Sequence, residues 1–216
     1  MRRELIEAAK DYRYLLDRGY SQKASLNIVS SKYLLSLRER LIIYRCIHSS
    51  NYVRSVLSKR GIPREGDLVV IDGYNVLATI YSALHGEELY LCDDGFVRDL
   101  LGIKQKASIV VDRDFIDVAS RILVNHLTEQ RLNIVLDAGV SHSGLLAQLL
   151  RERIHGAKVV TAQRADKELL LCSSNGWVAS SDALILSEAQ RVFDLGGEIA
   201  REHSPRKIII LPLSIT

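Results

Sequence analysis

The sequence predicts an α/β protein in which a parallel β-sheet, covered by helices on both faces, follows an N-terminal α-helical module. Three observations predict it. Residues 1–64 place apolar side chains at helical spacing and hold no strand-like run. Residues 65–216 alternate short, wholly apolar runs with helical segments, the pattern of strands buried on both faces. Between them, residues 58–66 (SKRGIPREG) set two glycines around Ile62 and Pro63 among charges, which marks a linker or turn. The predicted division is therefore a basic helical module over 1–64 and an α/β domain over 65–216.

In the helical module, residues 3–17 form the first helix, with Leu5, Ala8, Ala9, Tyr12, Leu15 and Leu16 on one stripe and Gly19 as its stop. Ser21 starts a second helix that runs to about Ser30. Ser36 caps a third, to Ile47, with Glu39 three residues on to complete a capping box. A short fourth covers Tyr52 to Leu57. After the linker, Asp67–Asp72 (DLVVID) is a buried strand. Residues 87–92 (EELYLC) are a short strand that suits a hairpin. A long helix covers Asp112 to about Glu129. Strands at 132–136 (LNIVL), 157–161 and 177–179 alternate with helices at 143–154, 166–172 and from 182 to 188, and 207–211 (KIIIL) is the last strand. Right-handed crossovers make such an alternation a doubly wound sheet.

Composition narrows the function classes. Of 216 residues, 47% are hydrophobic and 25% charged, which is globular composition. No apolar run reaches the roughly 18 residues that span a bilayer, and the opening MRRELIEAAKDYRYLLDRGY is an amphipathic helix, not a signal peptide. A soluble cytoplasmic protein without a membrane partner is expected. Cys46, Cys92 and Cys172 lie far apart with no C-x-x-C, so free thiols are expected. The net charge of +3 hides an asymmetry: residues 1–64 hold 14 Lys/Arg against 5 Asp/Glu (+9), and residues 65–216 hold 15 against 21 (−6). A basic block beside an acidic one suits an anionic polymer, and also suits ordinary solvated helix faces.

In open α/β sheets ligands bind beyond the carboxyl ends of the strands. There the chain carries Asp72 after DLVVI, Asp137 after LNIVL, Asp166 at the start of the helix after AKVVT, and Asp182 after WVASS. Each alone also reads as a helix cap. Four on one rim would not all stay ionised without cations. Mg²⁺ or Mn²⁺ takes oxygen ligands of this type, and two such ions roughly 4 Å apart support phosphodiester cleavage. Asn75 would orient a water or phosphate without adding negative charge.

The run VVIDGYNVL, residues 69–77, resembles the opening strand of the PIN-like nucleases, especially their NYN and YacP branch, which ends in Asp-Gly-Tyr-Asn. LDA at 136–138, ADKELL at 165–170 and ASSD at 179–182 follow in that family's order. The resemblance covers roughly residues 67–212. It implies a three-layer α/β/α PIN-like fold and a metal-dependent nuclease, with an endoribonuclease foremost. It also implies Mg²⁺ or Mn²⁺ on Asp72, Asp137, Asp166 and Asp182, with Asn75 and Ser181 assisting. The chain departs from the minimal family pattern at Tyr81–Ser108, where LYLCDDGFVRDLLG brings Asp93, Asp94, Arg98 and Asp99. An acidic turn around Gly95 with an internal Arg98 ion pair is expected there. The whole chain also resembles an archaeal family of unknown function, in which a basic helical N-terminus (LLDRGY and RERLIIYR) precedes the DGYN strand and the DDGFVRD segment.

Candidate substrate contacts are Ser181, Arg98 and the basic residues Arg38, Arg40 and Arg45, holding nucleic acid through phosphates. RNA is expected over DNA, and the assembly stays open, a homodimer included. Asp112 and Asp114 in IVVDRDF (109–115) read as N-terminal acids of the long helix rather than a phosphotransferase motif. Tyr12, Tyr14, Tyr20, Tyr33, Tyr44 and Trp177 could stack bases, although helical spacing reads most of them as core. The alternatives are a catalytically inactive PIN-like nucleic-acid-binding or scaffold protein, in which the acids are caps, and a phosphohydrolase of small substrates.

Overall fold

The computed structural model describes residues 2–101 and 112–211. The chain opens with helices α1 (Arg3–Asp17), α2 (Gln22–Lys32), α3 (Leu37–Cys46) and α4 (Ser50–Lys59). Local chemistry sets where they start. The side chain of Ser21 accepts from Ala24 N, Ser49 accepts from Tyr52 N, and Ser36 and Glu39 form the expected reciprocal capping box. α1 ends where Gly19 turns to φ +85°. α4 begins earlier than its apolar pattern suggests, because the Ser49 cap, not the first apolar residue, starts it.

The α/β part follows as β1 (Leu68–Asp72), α5 (Gly73–Leu84), β2 (Leu89–Leu91), β3 (Val97–Arg98), α6 (Arg113–His126), β4 (Arg131–Asp137), α7 (Ser143–Arg153), β5 (Lys158–Ala162), α8 (Ala165–Cys172), β6 (Trp177–Ala179), α9 (Ala183–Glu188), β7 (Val192–Phe193), α10 (Leu195–His203), a 3₁₀ turn (Pro205–Lys207) and β8 (Ile208–Ile210). Among the described residues, five strands form an all-parallel sheet in the order β5-β4-β1-β6-β7. Successive side chains of β1 go to opposite faces. Val69 and Ile71 join α5, α6, α7 and α10 in the largest apolar cluster, and Val70 joins α8, α9 and Val56 of α4 in another. The sheet is thus covered by helices on both sides, as the wholly apolar strands predict.

The last strand departs from expectation. β8 does not extend this sheet; it pairs in parallel with β2, which pairs antiparallel with β3, in a second sheet of order β3-β2-β8. Its Ile209 and the following Leu211 pack with Tyr90 and Cys92 against Leu5, Tyr12, Val29 and Ile43 of the first three helices and Ile47 just after them. An apolar triplet carries no information about which sheet it joins. The turn expected at Gly95 is present, with φ +81° between β2 and β3, and Arg98 is ion-paired there to Asp94 at 2.6 Å. The stretch 102–108 of the Tyr81–Ser108 segment lies outside the described residues.

Four elements escape the sequence reading: α5, β3, β7 and α10. α5 buries Gly73, Asn75, Val76, Leu77, Ala78, Thr79, Ile80, Ser82 and Ala83, so it has almost no polar face and no amphipathic stripe to detect. β3 and β7 are two residues each. Among the described residues no helix is long and apolar enough to cross a membrane.

Candidate functional site

The strand order decides whether the acids meet. β1 lies between β4 and β6, with Asp72 in register with Val135 and Ile71 with Ala179. β4 runs two residues beyond Val135 to Asp137, which is in register with Ala162 of β5. Asp182 follows β6 as the N-cap of α9, and Asp166 lies in the first turn of α8 after β5. Four neighbouring strands, β5-β4-β1-β6, therefore deliver Asp166, Asp137, Asp72 and Asp182 to one rim.

Hydrogen bonds fix the centre of this rim. Asp72 Oδ1 accepts from Asn75 N at 3.3 Å, and Oδ2 accepts from Ser180 Oγ at 2.8 Å. Asn75 Oδ1 accepts from Ser181 N at 2.8 Å and from Ser181 Oγ at 2.9 Å. The DGYN segment and the ASSD segment are thus clasped together through side chains that are mostly buried, Asn75 at 8% and Ser181 at 5% exposure. Asp182 Oδ1 accepts from Leu184 N and Ile185 N, and Asp137 Oδ1 accepts from Gly139 N at 2.8 Å. Behind the clasp, Thr79 Oγ1 bridges Asn75 O and the buried Asp99, both at 3.3 Å, and Arg45 of α3 reaches Asp99 at 3.5 Å.

The rim charges act on one another. The Asp166 carboxyl is held above its ordinary pKa, first by partial burial and then by the negative charges of Asp182, Asp137 and Glu188. Burial, with the charge of Asp137 behind it, pushes the Tyr74 phenol up to about 12. The donor set is hard oxygen, the type that divalent magnesium or manganese takes. The acids share a rim without closing around a point. Among the described residues, the set of three whose ligand atoms lie within 4.8 Å of one another is His48, Asp93 and Asp94, outside the rim. That set is neutralised within the protein by Arg13 on Asp93 at 3.0 Å and by Arg98 on Asp94 at 2.6 Å.

The expected substrate contacts divide. Ser181, Asp182 and Arg45 line one cavity of about 460 Å³ between the helical module and the rim. Arg98 also borders it but is 2% exposed, with its guanidinium paired to both Asp94 oxygens and its Nε donating to Ser181 O at 2.8 Å. It therefore braces the fold rather than facing a polymer. Arg38 pairs with Glu88 and lies 3.4 Å from the Tyr90 hydroxyl, and Arg40 contacts Asn27 at 3.3 Å. Neither lines the cavity. The sequence reading missed Ser180, Glu188 and the Thr79–Asp99 link. The first lies inside the ASSD string and was readable there; the others meet the rim only through tertiary packing.

Residues 64–198 match a family described as a domain of unknown function, DUF5616, and the chain belongs to it. Residues 4–59 match a second family, protein of unknown function DUF434. The chain is 34% identical over 215 residues to an uncharacterized protein of Methanocaldococcus jannaschii, a match that covers 94% of this chain and 99% of that one. The expected kinship with an archaeal family of unknown function is thereby shown. No solved structure matches significantly.

Proposed function

We propose that this protein is a divalent-metal-dependent phosphodiesterase of the nuclease type, PIN-like in its active-site plan, with RNA as its substrate class. The observation that supports it is the strand order, which gathers four aspartates on one rim, where the Asp166 carboxyl is raised first by partial burial and then by its neighbours' charges. Asp72, Asp137, Asp166 and Asp182 would hold the metal. When bound, divalent cations supply charge neutralisation at the phosphate and activation of the attacking water. The chain's own contribution is positioning: Ser180 fixes Asp72, and the Asn75–Ser181 clasp ties the two central strand ends together. The basic helical module supplies Arg45 beside the rim for a backbone phosphate.

A thermal melt with and without millimolar Mn²⁺ tests this, on wild type and on Asp166→Asn. A ligand at about five times its dissociation constant contributes about 1 kcal/mol, which lifts the melting temperature of a chain this size by about 2–4 °C. The rise is expected in wild type and not in Asp166→Asn, whose metal-free melt is no lower because a repelled charge is gone. Cleavage of single-stranded RNA should follow the same pattern.

A second reading is an inactive scaffold, and one observation favours it: Asp72 and Asp182 cap helices and Asp137 holds a turn, so these three have structural duties without a metal. Absence of both the shift and the cleavage would select it.

A further inference from the structure

The cavity of about 460 Å³ beside the rim is lined by two unlike groups of residues. One is basic and aromatic, with Tyr20 after α1, Tyr44 and Arg45 on α3, and Tyr52 on α4. The other is the end of β6, Ser181 and Asp182. Its volume falls within the roughly 300–1,000 Å³ of small-ligand sites. Tyr44 is 46% exposed and Tyr20 53% exposed, so neither ring is consumed by the core. Tyr52 is fixed by stacking on His48, with ring centroids 4.5 Å apart. The Arg45 side chain is 18% exposed and has one polar contact among the described residues, the 3.5 Å approach to Asp99, while an arginine has five donors to offer.

We propose that this cavity takes one unpaired nucleotide of a single-stranded nucleic acid, its base against Tyr44 and Tyr20 and its phosphate toward Arg45. Tyrosine faces hold any base by stacking, without choice of sequence. A guanidinium suits a phosphate, and the carboxylate of Asp182, which also lines the cavity, repels an anion and favours its placement at the arginine. Only an unpaired strand presents a base face to such a cavity, since in a duplex both faces are stacked. Because Ser181 and Asp182 belong to both cavity and rim, the next phosphodiester of a strand held here lies toward the aspartates. This placement rests on the nuclease reading and extends it to a substrate class, an unpaired strand.

The test is fluorescence anisotropy of a labelled single-stranded oligouridylate at low salt in EDTA, where no metal chemistry contributes. The proteins are wild type, the double variant Tyr20→Ala/Tyr44→Ala, Tyr14→Ala as an exposed tyrosine away from the cavity, and Asp166→Asn. Tyr20 and Tyr44 are both exposed, so the double variant should fold, and its melt checks this. Loss of stacking should weaken binding about tenfold or more in the double variant, while Tyr14→Ala and Asp166→Asn bind at least as tightly as wild type. The proposal is overturned if wild type does not bind, if the double variant binds like wild type, or if a duplex binds as tightly as the single strand. Uridine monophosphate competing as well as the oligomer would assign the cavity to a free nucleotide and overturn the strand. Binding is read without metal. An inert rim would therefore sink the catalytic reading while the tyrosine dependence stands, and cleavage with tyrosine-independent binding would sink the cavity alone.

Discussion

Two buried acids show how one residue type takes opposite electrostatic fates. For Asp94, burial alone would raise the pKa, but the Arg98 charge and its paired hydrogen bonds outweigh it, with help from His48 and the Phe96 amide, so the carboxyl stays below its ordinary value. At Asp194, the N-cap of α10, burial wins over Arg201 and Arg60 and pushes the carboxyl up to about 7. A carboxyl with a raised folded pKa binds more protons in the native state than in the unfolded one, over the interval between the two pKa values. Stability from this group therefore falls as pH rises from about 4 to about 7, and is level above that. Asp194→Asn keeps an oxygen for the Gly197 amide and cannot ionise. The melting temperature of wild type minus that of Asp194→Asn should decline from pH 5 to 7.5. A difference that stays flat across that range would assign the slope to other groups.

At the scale of elements, helices with a local signal were readable, and α5, buried almost all round, was not. α1 follows its apolar stripe and α3 its capping box, because each signal is local. α5 lies between the sheet and α10, where a stripe vanishes. Gly73 shows how tight that placement is: a Cβ there would stand 2.4 Å from Leu136 Cδ2 and 3.2 Å from the Val135 carbonyl oxygen. The glycine of DGYN is therefore required for the approach of α5 to β4, apart from any chemistry at the rim. Gly73→Ala should destabilise the fold by about 1–3 kcal/mol, as overpacking does, read from urea unfolding. An unchanged urea midpoint would mean that the Leu136 side chain yields freely.

At the scale of the molecule, the basic module is part of the core. α1, α2 and α3 cover Tyr90, Cys92 and Leu211 of the second sheet, and α4 sends Val56 into the cluster on the outer face of the main sheet. The expectation is one cooperative transition for the whole chain, with far-UV and near-UV dichroism melting together. A chain lacking residues 1–59 uncovers that apolar surface and should lose cooperative unfolding and aggregate. A sharp, reversible melt of the truncated chain would show instead that the α/β part is independent.

The sequence alone determined the class of the fold, the caps at Ser21 and Ser36, the sheet rim beyond the strand ends, and the four aspartates that reach it, since these follow from periodicity and from residues close along the chain. Whether those aspartates become neighbours was decided by the strand order β5-β4-β1-β6, which no local pattern encodes. Tertiary packing also sent β8 to a second sheet, buried Arg98 against Asp94, and brought Tyr44 and Arg45 to the same cavity as Ser181 and Asp182. The physical reason is the same in each case. These contacts join residues far apart in sequence, and their energies depend on which surfaces meet, a choice made by burying apolar area over the whole molecule at once.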